Sequence, residues 1–191
     1  AANGEDYTSA SYEITFSAFD VSETFNITIV NDDLDEDPEA LQIALSDATL
    51  SDLGNNATLT YTINDQDPTP SITFDDGAPS DNEDDDASPD LTIRLNAVSG
   101  RDVIIPYKDS TPDDGATGGG SDYSLTESSV TISAGTDPPV GTISFTVVAD
   151  EKYEEDQEVT IDLDTDNLTN ATAGLTTRAV YTILNDDPPP V

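Results

Sequence analysis

The sequence predicts an all-β protein, organised as two tandem copies of one sandwich, the first of them incomplete at its N-terminal side. Short stretches alternate apolar and polar residues, the period of strands with one buried face. Segments rich in Asp, Asn, Gly, Ser and Pro separate them, and no stretch keeps a helical apolar period over ten positions. The phrase Gly-x-Asp-Tyr occurs at residues 4–7 and again at 120–123. A long internal repeat therefore organises the chain.

The alternating stretches give the predicted strands in chain order. Their spacing, with turn residues between them, is typical of β-sandwiches. The predicted strands are Tyr12 to Phe16, Phe25 to Ile29, Leu41 to Leu45, Leu59 to Ile63, Ile72 to Phe74, Leu91 to Leu95, Val103 to Tyr107, Ile143 to Val147 and Val159 to Leu163.

The repeat aligns residues 29–45 with 147–163 and residues 59–68 with 179–188. Proline-rich segments follow both copies and predict extended, semi-rigid linkers. The predicted domains are residues 1–68, a partial copy lacking its first strands, residues 69–188, a complete copy, and residues 189–191, the start of a further linker. Because the second Asp-Tyr phrase follows three predicted strands and the first follows none, we expect that Ala1 is not a natural start. A longer array or a strand-donating chain would supply the missing strands.

The charge balance limits the partners. The chain has 41 Asp plus Glu against 5 Lys plus Arg, a formal net charge of -36. Phosphate binding needs clustered basic residues, so nucleic acid is excluded as a partner and anionic membranes are disfavoured. The absence of His and Cys argues against zinc, copper and iron-sulfur sites. No long apolar run or charged leader is present, so we expect neither membrane insertion nor a signal peptide within these residues.

The order of the motifs resembles the Calx-β domain family. Gly-x-Asp-Tyr comes first, an acidic cluster opening a strand follows, and a closing strand ends in Asn-Asp-Gln-Asp-Pro in copy one and Asn-Asp-Asp-Pro in copy two. The resemblance covers nearly the whole chain. It implies tandem immunoglobulin-like sandwiches, as found in sodium/calcium exchangers and in repeat arrays of very large bacterial surface proteins.

The resemblance also implies Ca²⁺ sites, since the calcium-binding members carry their ligands in loops at one end of the sandwich, near the next domain. In copy one the implied ligands are Asp6, Asp32, Glu36, Glu39, Asp65 and Asp67. In copy two they are Asp86, Asp122, Asp150, Glu154, Asp186 and Asp187. Asp86 comes from the acidic run at residues 82–86, which is otherwise predicted to be a solvated loop. Uncharged residues stand where the best binders have carboxylates, which implies fewer or weaker ions; they are Asn31, Gln66, Ala149 and Gln157.

The residues themselves favour a hard cation independently of the resemblance. Ca²⁺ takes about 6 to 8 oxygen ligands, and crowded carboxylates repel by roughly 1 to 4 kcal/mol per close pair unless a cation bridges them. The acidic stretch from Asp33 is not an EF-hand, because Pro38 and Ala44 stand where that loop needs Gly and Glu. The alternative is a solvated acidic surface, as in a salt-loving organism, without specific metal sites.

Two further residue types carry predictions. Tyr7 and Tyr123 are predicted to be core or corner tyrosines of the sandwiches. Four Asn-x-Ser/Thr sequons could carry glycans if the protein is an extracellular glycoprotein. They are Asn26, Asn56, Asn167 and Asn170.

These observations predict a non-enzymatic protein, because no His, Cys or nucleophile–base arrangement is available and a repeated structural site explains the carboxylates. The predicted function is a calcium-rigidified structural module of an extracellular, cell-surface stalk, adhesin or filament. Its predicted partners are neighbouring repeats or strand-donating copies. The alternative is a calcium-sensing regulatory domain pair, which would need tighter sites than these substitutions suggest.

Overall fold

Two compact units make up the chain, residues 1–67 and residues 68–191. The computed structural model describes residue 1 and residues 4–8, 12–75, 77, 79–83, 88–113 and 115–191. Their regular structure consists of β-strands apart from short 3-10 turns such as Thr165–Asn167. None of these residues belongs to a helix long and apolar enough to cross a membrane.

The described part of unit 1 contains two antiparallel strand pairs. One pair joins the Asp-Tyr phrase to the segment before the acidic loop, and the other is a hairpin of two six-residue strands. The four strands are β1 (Tyr7–Thr8), β2 (Thr28–Ile29), β3 (Glu39–Ala44) and β4 (Thr58–Ile63), paired as β1-β2 and β3-β4.

Unit 2 is a β-sandwich. Its strands are β5 (Ser71–Phe74), β6 (Ser80–Asn82), β7 (Asp90–Leu95), β8 (Val103–Asp109), β9 (Tyr123–Ser124), β10 (Ser128–Ile132), β11 (Val140–Ser144), β12 (Thr146–Val147), β13 (Gln157–Leu163), β14 (Thr172–Ala173) and β15 (Arg178–Leu184). One sheet has the order β10-β8-β13-β15-β6 and the other β11-β7-β5-β14, while β12 pairs with β9. Two of the pairings, β14 with β5 and β15 with β6, are parallel.

The alternating apolar residues of unit 2 point inward from both sheets, as their period of two requires. Leu91, Ile93 and Leu95 of β7 are buried against Val103 and Ile105 of β8 and against β13 and β15. Predicted strands in these segments, and in the β3, β4 and β5 segments, are confirmed.

Phe145 divides a predicted strand in two. Residues before it pair with β7 and residues after it pair with β9, so the chain changes its partner strand there. Its ring is buried edge-on between Tyr123, at a centroid distance of 6.2 Å, and Tyr181, at 5.1 Å. Such edge-to-face aromatic contacts favour one defined arrangement of the core.

The two units share the register of their strand pairs. Tyr7 lies opposite Ile29 as Tyr123 lies opposite Val147. The longer hairpins match in the same way, with residue 39 opposite 63 in unit 1 and residue 157 opposite 183 in unit 2. The repeat read from the sequence is therefore a repeat of hydrogen-bonding pattern as well.

Two predicted strands of unit 1 are corrected by the structure. Residues 12–16 are not a strand, and of the stretch 25–29 only Thr28–Ile29 is paired. The counterpart of residues 12–16 in unit 2 is β10, which pairs with β8. The counterpart of residues 25–29 is residues 143–147, where the end of β11 pairs with β7 and β12 pairs with β9. The described part of unit 1 has no strands that correspond to β7 and β8, so the alternating pattern finds no hydrogen-bonding partner.

Candidate metal centre

Three segments of unit 2 end at the same place. Strand β6 runs parallel to β15 with Asn82 opposite Leu184, so Glu83 emerges beside the closing residues 185–187. Strand β12 ends three residues before Asp150. Carboxylate oxygens of Glu83, Asp150 and Asp187 all lie within 4.8 Å of one another. This acidic cluster of unit 2 is able to hold a metal ion.

Glu83 has a buried and strongly perturbed carboxyl group. Its side chain is 6% exposed, and burial together with the negative charges of Asp150 and Asp187 raises the pKa of Glu83 to about 7. A proton on Glu83 is shared with Asp187 in a hydrogen bond. When both groups are ionised, Glu83 Oε1 and Asp187 Oδ2 are buried without a hydrogen-bond donor among the described residues. Buried oxygens without donors are costly, so this arrangement favours a bound cation.

The chemistry of the cluster suits Ca²⁺. All three side chains offer hard oxygen ligands, and three carboxylates can provide up to six of the oxygens that Ca²⁺ requires. The Asp150 side chain is held in place because its Oδ1 accepts the N–H of Lys152 at 2.7 Å. Asp32 of unit 1 is held likewise, its Oδ1 accepting the N–H of Leu34 at 2.9 Å. Both loops thus present the remaining carboxylate oxygen from a fixed turn.

The other ligands predicted for copy two lie outside this three-residue cluster. Glu154 is paired with Lys152 and accepts a hydrogen bond from Gln157 Nε2 at 3.0 Å. The Asp122 carboxylate accepts the N–H of Thr117 and so closes its own loop. Asp186 is exposed, although its charge contributes to the raised pKa of Glu83. Asp86 lies outside the described residues.

All six ligands predicted for copy one line a single cavity of unit 1, of about 80 Å³. No Lys or Arg occurs in residues 1–67. The cavity is lined by Asp6, Asp32, Glu36, Glu39, Asp65 and Asp67, among other residues. Their assignment as ligands stays a prediction, as it does in unit 2.

The carboxyl groups that line the cavity of unit 1 change one another's pKa values. Partial burial, followed by the charges of Asp32 and Asp6, raises the pKa of Glu36. Desolvation and the charge of Asp65 raise the pKa of Asp67. Desolvation alone would raise the pKa of Asp65 too, but backbone N–H groups of Asp67 and Glu36, each 3.2 Å away, lower it. A cation in the cavity would relieve the repulsion that these shifts report.

Glu83 was missed by the sequence prediction, which took the run at residues 82–86 for a solvated loop with one ligand at Asp86. That expectation is wrong at Glu83, which is buried. Strand β6 is the polar stretch Ser80–Asn82, so no apolar alternation revealed where the run meets the sheet. Glu83 is the only glutamate in the run, and its side chain is longer than those of the aspartates and of Asn82. This difference was the available signal.

The tyrosines and sequons occupy distinct environments. Tyr123 is buried in the core as predicted, and Tyr7 is half-buried.

Asn26 and Asn56 are exposed, and Asn56 lies in a turn. Asn167 and Asn170 use their side-chain amides in hydrogen bonds, to Asp164 Oδ2 at 2.7 Å and to the backbone oxygen of Asp102 at 2.9 Å.

The family model of the Calx-beta domain matches the sequence twice, over residues 1–67 and 65–187. The chain belongs to the Calx-β family. Both matches contain an acidic cluster described above, and together they cover nearly all of the Calx-β chain.

Solved structures share the Calx-β fold. The apo-form CBD1 domain of Calx is 17% identical, with a TM-score of 0.54 over 63% of this chain and 100% of that one. CBD12 from CALX1.2 is 19% identical, with a TM-score of 0.52 over 61% of this chain and 44% of that one. The calcium binding domain CBD12 of CALX1.1 is 17% identical, with a TM-score of 0.53 over 61% and 46%. This Calx-β chain thus covers less than half of both CBD12 structures, and likeness at these identities establishes the fold.

Proposed function

We propose that this Calx-β chain is a structural calcium-binding module of a long extracellular surface protein, such as an adhesin stalk or a filament. Ca²⁺ would hold together the loop ends that converge on Glu83, Asp150 and Asp187. The observation that carries the proposal is the buried pair of carboxyl groups at Glu83 and Asp187: once both are ionised, Glu83 Oε1 and Asp187 Oδ2 have no hydrogen-bond donor among the described residues. The proposal assigns no catalytic step to these residues.

The position of the acidic residues supports a mechanical role. Asp67 and Asp187, one in each cluster, are each followed at once by proline, at Pro68 and Pro188. Proline restricts the backbone to extended conformations. An ion bound by Asp67 or Asp187 would hold the end of the last strand of the unit in place. The semi-rigid proline linker would then begin at a fixed position.

A structural role also agrees with the composition of the clusters. Gln157 of unit 2 replaces the carboxylate that Glu39 provides in unit 1, and Ala149 offers no side-chain oxygen. Fewer charged ligands lower calcium affinity, and extracellular modules bind at about 10⁻⁴ to 10⁻³ M whereas sensors need about 10⁻⁷ to 10⁻⁵ M. A micromolar dissociation constant would favour the calcium-sensing alternative.

Thermal unfolding tests the proposal. Melting of residues 1–191 would be followed in CaCl₂, in MgCl₂ and in NaCl at equal ionic strength. At a Ca²⁺ concentration a hundredfold above its dissociation constant, binding to the folded state adds about 2.7 kcal/mol of stability. Glu83→Gln should abolish the gain in unit 2, while Glu155→Gln, which removes an exposed carboxylate from the loop that carries Asp150, should keep it. Equal stabilisation by NaCl and CaCl₂ would support the solvated acidic surface instead.

The proposed location is the cell surface, with neighbouring repeats of the same chain or strand-donating copies as partners. Glycans are expected first at Asn56, because its side chain is exposed in a turn. Mass spectrometry of tryptic and chymotryptic peptides from the protein purified from its source would detect them. Unmodified Asn56 in surface-exposed protein would remove the glycoprotein part of the proposal.

A further inference from the structure

Strand β6 carries Glu83 to the acidic cluster of unit 2 without an apolar anchor of its own. Its residues Ser80, Asp81 and Asn82 are all polar and exposed. Among the described strands it pairs with β15, over three residues at the edge of the sheet. A segment with few buried contacts and exposed backbone hydrogen bonds opens easily. The position of Glu83 therefore depends on what else holds β6.

One further contact reaches β6 from the core. Tyr181 of β15 is fully buried, and its hydroxyl donates a hydrogen bond to Asp81 Oδ2 at 2.9 Å. A buried tyrosine hydroxyl needs a hydrogen-bond partner, and a charged acceptor gives a stronger bond than a neutral one. Asp81 lies two residues before Glu83. The bond thus holds β6 just before the residue that enters the acidic cluster.

The same bond specifies the register of β6 on β15. Asp81 lies opposite Ile183 in the parallel pairing. A strand that is polar on both faces has no apolar side chains to fix its register, and a slip by one residue turns every side chain to the other face. Such a slip would turn Glu83 away from the cluster and Asp81 away from the Tyr181 hydroxyl. The observed register is therefore the one that this hydrogen bond favours.

The Tyr181 ring is fixed by its packing in the core. It meets the Phe145 ring edge-on, with 5.1 Å between the ring centroids. Phe145 lies between β11 and β12, and β12 leads into the loop that carries Asp150. Closely packed aromatic rings keep one defined arrangement. Tyr181 thus connects the strand that carries Glu83 to the part of the core from which the Asp150 loop begins.

We propose that Tyr181 is a positioning residue for the calcium site, because its hydrogen bond to Asp81 fixes β6 on β15 and so holds Glu83 beside Asp150 and Asp187. The inference rests on the proposed calcium-binding function and adds to it a residue that is not itself a ligand. Without the bond, β6 leaves its position in part of the molecules. The apparent calcium affinity then falls in proportion to the fraction of molecules that keep the site assembled.

Calorimetric titration of CaCl₂ into residues 1–191 and into Tyr181→Phe tests the proposal. The binding event of unit 2 is identified as the one that Glu83→Gln removes. Phenylalanine keeps the ring packed against Phe145, so the variant loses the bond to Asp81 and little else. We expect Tyr181→Phe to weaken the unit 2 event about tenfold, the lower end of the loss expected when a group that orients a metal ligand is removed.

Tyr107→Phe is the control, because it also removes a tyrosine hydroxyl from unit 2. The Tyr107 hydroxyl donates to the backbone oxygen of Thr126 at 3.1 Å, in the segment before β10. This bond does not involve β6, so the variant should bind Ca²⁺ as tightly as the wild-type chain. Equal weakening in Tyr107→Phe and Tyr181→Phe would overturn the proposal.

Two substitutions of Asp81 separate its role as an acceptor from its charge. The amide oxygen in Asp81→Asn can still accept the hydrogen bond from Tyr181, so this variant should keep most of the calcium affinity. Asp81→Ala removes the acceptor and should weaken the unit 2 event as much as Tyr181→Phe does. Equal losses in the Asn and Ala variants would show that Asp81 acts through its charge, which would contradict the proposed positioning.

Hydrogen exchange in calcium-free protein tests the attachment of β6 without the metal. Residues 80–82 should exchange faster in Tyr181→Phe than in the wild-type chain. Unchanged exchange, or faster exchange with unchanged calcium affinity, would overturn the proposal. A wild-type chain without saturable calcium binding would instead refute the proposed function, and with it the calcium role of Tyr181. Faster exchange would in that case still show that the bond attaches β6.

Discussion

Asp65 and Asn185 occupy equivalent positions in the two units and accept the same hydrogen bond. The N–H of Glu36 donates to Asp65 Oδ2 at 3.2 Å, and the N–H of Glu154 donates to Asn185 Oδ1 at 3.0 Å. One residue has a carboxylate and the other a neutral amide. In both units this hydrogen bond joins the acidic loop before β3 or β13 to the residues after the last strand. It thus requires an oxygen acceptor and does not require a charged one.

This equivalence predicts how Asp65 responds to substitution. Asp65→Asn should preserve the loop of unit 1, because the amide oxygen can still accept from Glu36. Asp65→Ala leaves the N–H groups of Glu36 and Asp67 without this acceptor and should cost about 1 to 2 kcal/mol. Hydrogen exchange at residues 36 and 67 of the full chain measures the difference. Equal exchange rates in the Asn and Ala variants would contradict the assigned role.

The tyrosines of the two Asp-Tyr phrases should differ in their contribution to stability. Tyr123 Oη donates to Asp109 Oδ2 at 2.5 Å and lies 3.0 Å from Thr111 Oγ1. Burial and this bond raise the pKa of Tyr123 to about 12. Tyr123→Phe should therefore cost about 1.5 to 3 kcal/mol, as expected for a hydrogen bond to a charged group.

Tyr7→Phe is the control for this prediction. The Tyr7 hydroxyl has no hydrogen-bond partner among the described residues, and the described part of unit 1 has no strand equivalent to β8, which provides Asp109 in unit 2. Its removal should change the free energy of unfolding by less than about 0.5 kcal/mol. Denaturant unfolding of both variants provides the comparison. Similar losses would mean that the tyrosines act through ring packing rather than through their hydroxyls.

The raised pKa of Glu83 predicts that the stability of the calcium-free protein falls as pH rises. Burial, followed by the charges of Asp150 and Asp187, raises the pKa of Glu83 from its ordinary value of 4.5 to about 7 in the folded state. Between these values the folded state keeps a proton that the unfolded state releases, so this group lowers stability as pH rises. Calcium-free protein should lose stability from about pH 5 to 8, and Glu83→Gln should lose less. Ca²⁺ needs the deprotonated carboxylate, so the stabilisation by calcium should grow over the same range.

Unfolding in denaturant at several pH values, with EDTA and with CaCl₂, measures both effects. The Glu83→Gln variant separates this group from the many other carboxylates, since only the difference between the two proteins reports on residue 83. Parallel stability curves for the wild-type chain and Glu83→Gln would show that Glu83 titrates normally.

Gln157→Glu should make the cluster of unit 2 more like that of unit 1, where Glu39 holds the same position. Gln157 now donates to Glu154 at 3.0 Å. A carboxylate there would repel Glu154, so the variant should be less stable without calcium. With calcium it should bind roughly tenfold more tightly, because charge count sets affinity in such sites. Unchanged calcium affinity would place residue 157 outside the site.

Strand alternation and the repeat could be predicted from the sequence, because both are local patterns that tertiary packing preserves. The stretch at Tyr12 to Phe16 has the same alternation and forms no strand, since a strand needs a partner that a local pattern cannot reveal. Glu83 could not be placed for a related reason. It follows a polar strand whose position depends on parallel pairing with β15, about a hundred residues away.

Calorimetric titration of CaCl₂ into residues 1–191, beside Glu83→Gln at the same ionic strength, tests the central claim most directly. The wild-type chain should bind Ca²⁺ saturably, with dissociation constants of about 10⁻⁴ to 10⁻³ M. Glu83→Gln should lose the binding event of unit 2 and keep that of unit 1. Identical isotherms for the two proteins, or wild-type heats no larger than those of a matched NaCl titration, would contradict a calcium site at Glu83, Asp150 and Asp187.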